Sequence, residues 1–161
     1  AGIDQMALEK GEGTVATVGY LKAVPGAMNI IAGSAEFSVD VRSRTQQNID
    51  DIVSQIRARL DEETGAVGAS YSMEQKLNIS PVDLDEHMLS IMEESCNAHG
   101  FTSCRLPSGA GHDSLAIGQV LPTVMLFVPS RDGRSHCPVE YTPYIDFAKA
   151  VQVLYDLVLE L

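Results

Sequence analysis

The sequence predicts an α/β chain of mixed organisation: an antiparallel sheet backed by one helix, followed by helix-covered, mostly parallel strands. Three observations predict it. Residues 14–43 hold two alternating, β-branched segments separated by a Pro-Gly turn. Residues 49–60 carry apolar side chains at helical spacing. Residues 122–130 form a near-continuous apolar run between helical patterns, as expected of a strand covered on both faces.

The elements follow in order. TVATVGYL (14–21) reads as a strand, and Pro25-Gly26 in AVPGAMN marks a turn. IIAGSAEFSVDVRS (30–43) turns again at Gly33-Ser34 and continues as a second strand. Phe37, Val39 and Val41 share one face; Glu36, Ser38, Asp40 and Arg42 share the other. A helix follows, capped by Thr45 or Asn48, with Ile49, Ile52, Val53, Ile56 and Leu60 as its apolar stripe. Gly65 and Gly68 end it, and SYSMEQKL (70–77) resumes strand-like alternation, so residues 14–78 read ββαβ.

NISPVDLDEH (78–87) is the predicted boundary, dividing the chain into domains at 1–78 and 79–161. Pro81 breaks the preceding strand, and Asp83 caps a helix over 84–98 whose buried side is Leu84, Met88, Ile91, Met92 and Cys96. A short strand at 101–106, a helix at 112–118 and the strand at 122–130 come next. A terminal helix begins near 144, with Phe147, Val151, Leu154, Val158 and Leu161 as its stripe. This second part reads αβαβα.

Among the 161 residues, 22 acidic against 11 basic side chains leave a formal charge of −11. Nucleic acid and anionic membranes would repel such a surface, so neither is an expected partner. Cys96, Cys104 and Cys137 cannot all pair and show no CxxC spacing, which fits reduced thiols in the cytoplasm. No apolar run approaches the roughly 18 residues of a membrane span. The opening AGIDQMALEK has no signal-peptide pattern and no initiator Met, so an internal piece of a longer chain is expected.

Two loops set a histidine in unusual surroundings. In SGAGHD (108–113), small residues and free N–H groups before a helix suit an anion or a developing oxyanion. His112 would donate there, with Asp113 setting its tautomer. The same letters also describe a plain glycine-rich turn with a helix-capping His-Asp pair. In VPSRDGRSHCPVEYT (128–142), His136 follows a strand end and Glu140 lies four residues on, the pattern of a metal ligand with a supporting carboxylate, or of a surface loop. His87 and His99 read as ordinary surface residues. Arg42, on the polar face of its strand, is either a solvated cation or a fork suited to a carboxylate. No serine-hydrolase elbow, Walker loop or dinucleotide fingerprint is present.

Taken together, TVGYLKAVPGAMNIIAG, FSVDVRS, SGAGHDS and MLFVPSRDGRSHCPVEYT resemble the amidase/hydantoinase/carbamoylase branch of the zinc aminoacylase–peptidase superfamily. The resemblance runs in register from Thr14 onward. It implies an α+β lid piece, which in that family also forms the homodimer, over 1–78. It implies an α/β piece of the metal-dependent catalytic domain over 79–161. By resemblance, His136 is a metal ligand, for zinc or alternatively manganese, cobalt or nickel. His112 contacts substrate and steadies the tetrahedral intermediate. Asn29 hydrogen-bonds substrate, and Arg42 holds its carboxylate together with the backbone around Gly109, Ala110 and Gly111. The implied activity of the full-length protein is hydrolysis of N-carbamoyl or ureido acids to amino acid, ammonia and carbon dioxide. Allantoate amidohydrolase and β-ureidopropionase are alternatives within the branch; a non-catalytic dimerisation or acid-binding module is an alternative outside it. Ala32, Arg134 and Cys137 depart from the family pattern. The family's other ligands and its general-base glutamate are expected upstream, so the chain alone is expected to be inactive.

Overall fold

Val15–Val24 (β1) and Ser34–Arg42 (β2) form an antiparallel hairpin, the only ladder among the described residues. The structure, a computed structural model, describes residues 2–161. Pairing runs from Val15 opposite Arg42 to Val24 opposite Ser34, and one bulge between Val18 and Tyr20 absorbs Gly19. Strand alternation puts Ala16, Val39 and Val41 on the covered face and leaves Asp40 and Arg42 on the other, as the sequence predicts.

Two helices supply the cover. Ile3–Glu9 (α1) and Gln46–Val67 (α2) pack so that Ala7, Ile52 and Ile56 are buried with Ala16, while Ile3, Met6 and Leu60 close the edges. α1 lies in a segment that the sequence reading treats only for targeting signals; Ile3, Met6 and Ala7 nonetheless carry the helical spacing that marks it. α2 begins as expected, with Thr45 Oγ1 accepting the Asn48 N–H at 3.4 Å. It ends on Gly68, whose φ of 68° lies in the left-handed region that glycine enters without steric cost. A lysine–carboxylate contact of 2.6 Å between Lys10 and Asp51 ties the end of α1 to α2.

These elements, together with Pro107–Ala110, make one compact unit that extends to Pro81; Val82–Leu106 and Gly111–Leu161 make a second. In the second unit Glu86–Ala98 (α3) packs on Tyr144–Glu160 (α5) through Met92, Cys96, Val153 and Leu157. Phe101, Val124 and Leu126 lie against this core. The structure corrects the expected helix start. Asp85, not Asp83, caps α3, accepting the Met88 N–H at 2.9 Å. The Asp85 N–H donates to the Thr123 carbonyl at 2.9 Å, which holds the chain outside the helix up to that point.

The buried face of α5 is also corrected. Val153 and Leu157 are buried, whereas Phe147, Val151, Leu154, Val158 and Leu161 are exposed. α5 carries one polar stripe (Asp146, Lys149, Gln152 and Asp156) and a wide apolar arc over the rest, so periodicity alone does not select which part of that arc meets α3. The segments 70–77, 101–106 and 122–130, expected as strands, form no ladder among the described residues. A strand exists through its neighbour's hydrogen bonds, and an apolar run specifies cover without naming a partner. No helix of the described residues is long and apolar enough to cross a membrane.

One polar cluster joins α3 to α5. Ser95 Oγ donates to Asp156 Oδ2 at 2.5 Å, His99 Nε2 lies 2.9 Å from the same oxygen, and Gln152 Nε2 donates to Oδ1 at 2.8 Å. The Ser95 hydrogen bond, then those of Gln152 and His99, hold the Asp156 carboxyl below its ordinary value of 3.8. A carboxylate with a lowered folded pKa stabilises the fold above its unfolded value; that contribution disappears as pH falls through the folded value. Asp156→Asn should therefore shrink the fall in melting temperature between about pH 5 and about pH 3. An acid limb identical to wild type in thermal scans would count against this role.

Candidate functional site

Arg42 ends β2, and the residue two earlier on the same face is Asp40. The Asp40 carboxylate takes the Nε–Nη2 edge of the guanidinium: Nε donates at 3.2 and 3.0 Å, and Nη2 donates at 2.6 Å. Nη1 donates to the Gly109 carbonyl at 3.1 Å. Of the expected site residues, Arg42 and Gly109 are thus brought together within one unit. Hydrogen bonding to the Asp40 carboxylate, then its charge, raises the Arg42 pKa from its ordinary value, so the group is a permanent cation.

The loop that supplies the acceptor is shaped by Ser108, whose Oγ donates to the Ala110 carbonyl at 3.1 Å and accepts the Ala110 N–H at 3.3 Å. Gly109 has no left-handed φ, and a side chain there would meet nothing within 4 Å. At Gly111 a Cβ would touch only Leu115 Cδ2 at 4.0 Å. Neither glycine is thus demanded by backbone conformation or by crowding from the described residues. Asn29 sits in the exposed link between β1 and β2, flanked by the exposed Met28, Ile30 and Ile31.

His112 occupies the N-cap position of the short helix Asp113–Ile117 (α4), where its carbonyl accepts the Leu115 N–H at 2.9 Å. Its side chain makes no capping hydrogen bond. The imidazole instead meets the Phe127 ring edge-on, with centroids 5.8 Å apart. Among the described residues no hydrogen bond joins His112 to Asp113, the expected partner, because adjacent residues at a helix start project in different directions.

His136 lies in the loop after residue 130. The base of that loop is closed by Arg131 N–H to the Tyr141 carbonyl at 2.8 Å and by Thr142 Oγ1 to the Pro129 carbonyl at 2.9 Å. The Arg131 guanidinium stacks 4.4 Å over the Tyr141 ring. Within the loop, His136 has a φ of 55°, a conformation non-glycine residues seldom adopt and one that concentrates at functional positions. Glu140 stabilises this turn, its Oε2 accepting the His136 backbone N–H at 2.7 Å. The carboxylate four residues on therefore braces the backbone of His136, not its imidazole, which corrects the expected support.

Among the described residues no three His, Cys, Asp or Glu side chains gather in a way that could hold a metal ion. The described residues therefore do not by themselves form a metal site. Two partners escaped the sequence reading. Asp40 was legible as the same-face neighbour of Arg42 at strand period two; Phe127 carried no local signal, because its contact with His112 spans 15 positions of the chain.

The chain matches peptidase family M20/M25/M40 over residues 3–160. It is 37% identical over 152 residues to an N-carbamoyl-L-amino-acid amidohydrolase of Paenarthrobacter aurescens, covering 94% of this chain and 37% of that protein. An allantoate amidohydrolase of Bacillus subtilis (strain 168) is 34% identical over 145 residues, with 90% and 35% covered. Among solved structures, a hydantoinase/carbamoylase-family amidase from Burkholderia multivorans superposes with a TM-score of 0.87 at 28% identity, over 98% of this chain and 38% of that one. The mixed helix-and-strand class expected from sequence is thus that of these amidases. The chain spans 36% to 38% of the length of the first curated relatives it matches. With the family match running from residue 3 to residue 160, the chain belongs to peptidase family M20/M25/M40.

Proposed function

We propose that the chain is the C-terminal portion of a metal-dependent amidohydrolase that cleaves the linear C–N bonds of N-carbamoyl or ureido acids. Residues 1–78 would be part of its lid and dimerisation domain, and residues 79–161 the last part of its catalytic domain. The observation that carries the reading is the Arg42–Gly109 hydrogen bond of 3.1 Å, which sets the start of the glycine loop against one exposed cation within a single unit. Relatives named for N-carbamoyl-L-amino acids and allantoate both act on acids bearing a ureido-type group, which supports the substrate class.

Each residue then has a stated task. Arg42 has N–H groups left on Nη1 and Nη2 for a substrate carboxylate, and its charge selects acids over neutral amides. Asn29 and the backbone amides of Gly109, Ala110 and Gly111 add neutral hydrogen bonds. The His112 imidazole, held edge-on by Phe127, donates to the oxyanion as water adds to the carbamoyl carbon. His136 supplies one metal ligand, zinc by preference, and the rest of the set comes from residues outside this chain. The reaction consumes one water and yields the free amino acid, ammonia and carbon dioxide. Free cysteines and the acidic excess support a cytoplasmic protein that engages neither nucleic acid nor membrane, and the family resemblance supports a homodimer.

Incubating the intact, metal-loaded protein with an N-carbamoyl-L-amino acid should release ammonia and the amino acid in equal amounts. Allantoate and β-ureidopropionate assayed in parallel assign the subgroup. Acid binding without any hydrolysis of the three would replace the enzyme reading with that of a non-catalytic binding module.

A further inference from the structure

Asp40 and Arg42 face the same side of β2, opposite Thr17 and Val15 of β1. Both side chains are about half exposed, at 55% and 50%. Exposed ion pairs add little to stability, so holding the fold together does not account for three contacts along one edge of the guanidinium. Geometry accounts for them better. A guanidinium is a rigid plane with five N–H groups; fixing its Nε–Nη2 edge fixes the direction of the others. An arginine without such a brace spreads over many rotamers, and that freedom must be given up on binding.

We propose that Asp40 is a positioning residue for anion recognition: it braces one edge of Arg42, so that the remaining N–H groups meet an incoming carboxylate in a fixed plane beside Gly109. The inference rests on the reading of Arg42 as the residue that holds the substrate carboxylate. The same contacts allow an opposite effect, in which Asp40 occupies Arg42 as a rival carboxylate and weakens substrate binding. The two effects differ in sign.

Steady-state kinetics of the intact, metal-loaded protein decide between them. Asp40→Asn should raise KM for an N-carbamoyl amino acid about tenfold, a loss typical of one charge-assisted contact, and this rise should exceed any fall in kcat. The corresponding N-carbamoyl amino acid amide, which keeps the scissile group but lacks the carboxylate, should show no such KM change. Asp40→Glu, which keeps a carboxylate, should recover part of the loss. An unchanged or lowered KM in Asp40→Asn overturns the proposal, a lowered one in favour of rivalry. Arg42→Ala run alongside separates two failures. If it raises KM and Asp40→Asn does not, the positioning role alone is wrong; if neither moves KM, the carboxylate role of Arg42 is wrong as well.

Discussion

On the proposed ligand role, replacing His136 should remove metal-dependent turnover of the intact protein, an expected loss of more than about a hundredfold, since even partners that only support a metal ligand are worth roughly 10–100-fold. The direct readout is metal content after gel filtration: wild type retains its ion and the variant does not. His136→Ala has a complication, because φ at this position is 55° and alanine is strained there. His136→Asn answers it, since asparagine tolerates the left-handed region and keeps the N–H that Glu140 accepts. Both variants should lose metal while retaining the circular dichroism of the parent. Full metal occupancy in His136→Asn would remove the ligand role whatever the activity.

Arg42→Ala is expected to raise KM for the acid substrate by about 10–100-fold, the range that charge-assisted hydrogen bonds of roughly 1.5–3 kcal/mol imply. Two causes act in one direction. The cation that attracts the carboxylate is gone, and the Asp40 carboxylate that it neutralised is left bare beside the binding position. Arg42→Lys restores the charge but not the planar fork, so it should recover only part of the affinity. Competition by a simple carboxylic acid, measured at low salt, gives a second reading of the same loss. Identical KM values for wild type and Arg42→Ala would remove the arginine from substrate recognition.

How far the sequence reached depended on whether a feature was local. The cap of α2 was readable because Thr45, Asn48 and Gly68 act within one turn of the helix ends. The hairpin was readable because alternation in residues 36–42 selects a face by itself. The start of α3 was misplaced by two residues because a backbone bond from Asp85 to Thr123, far away in sequence, decides it. The apolar arc of α5 is too wide to single out one contact side, which followed from Val153 and Leu157 meeting α3. Strand identity at 122–130 depends on neighbours that no pattern within the run encodes. At the candidate site, residue types were legible from the motifs, whereas wiring was not. Glu140 bonds to a backbone N–H and His112 leans on an aromatic ring, and both arrangements are set by folding.

Pro107–Ala110 group with the hairpin even though the chain reaches them only after α3. Cutting after Pro81 would therefore yield an incomplete module: Arg42 Nη1 would lose the carbonyl it donates to, although every residue of the hairpin remained. Recombination between homologues at that junction would exchange most of one unit while importing four residues of its neighbour's lineage. Shuffling and grafting experiments on such chains should treat the arginine strand and this tetrapeptide as a single heritable block.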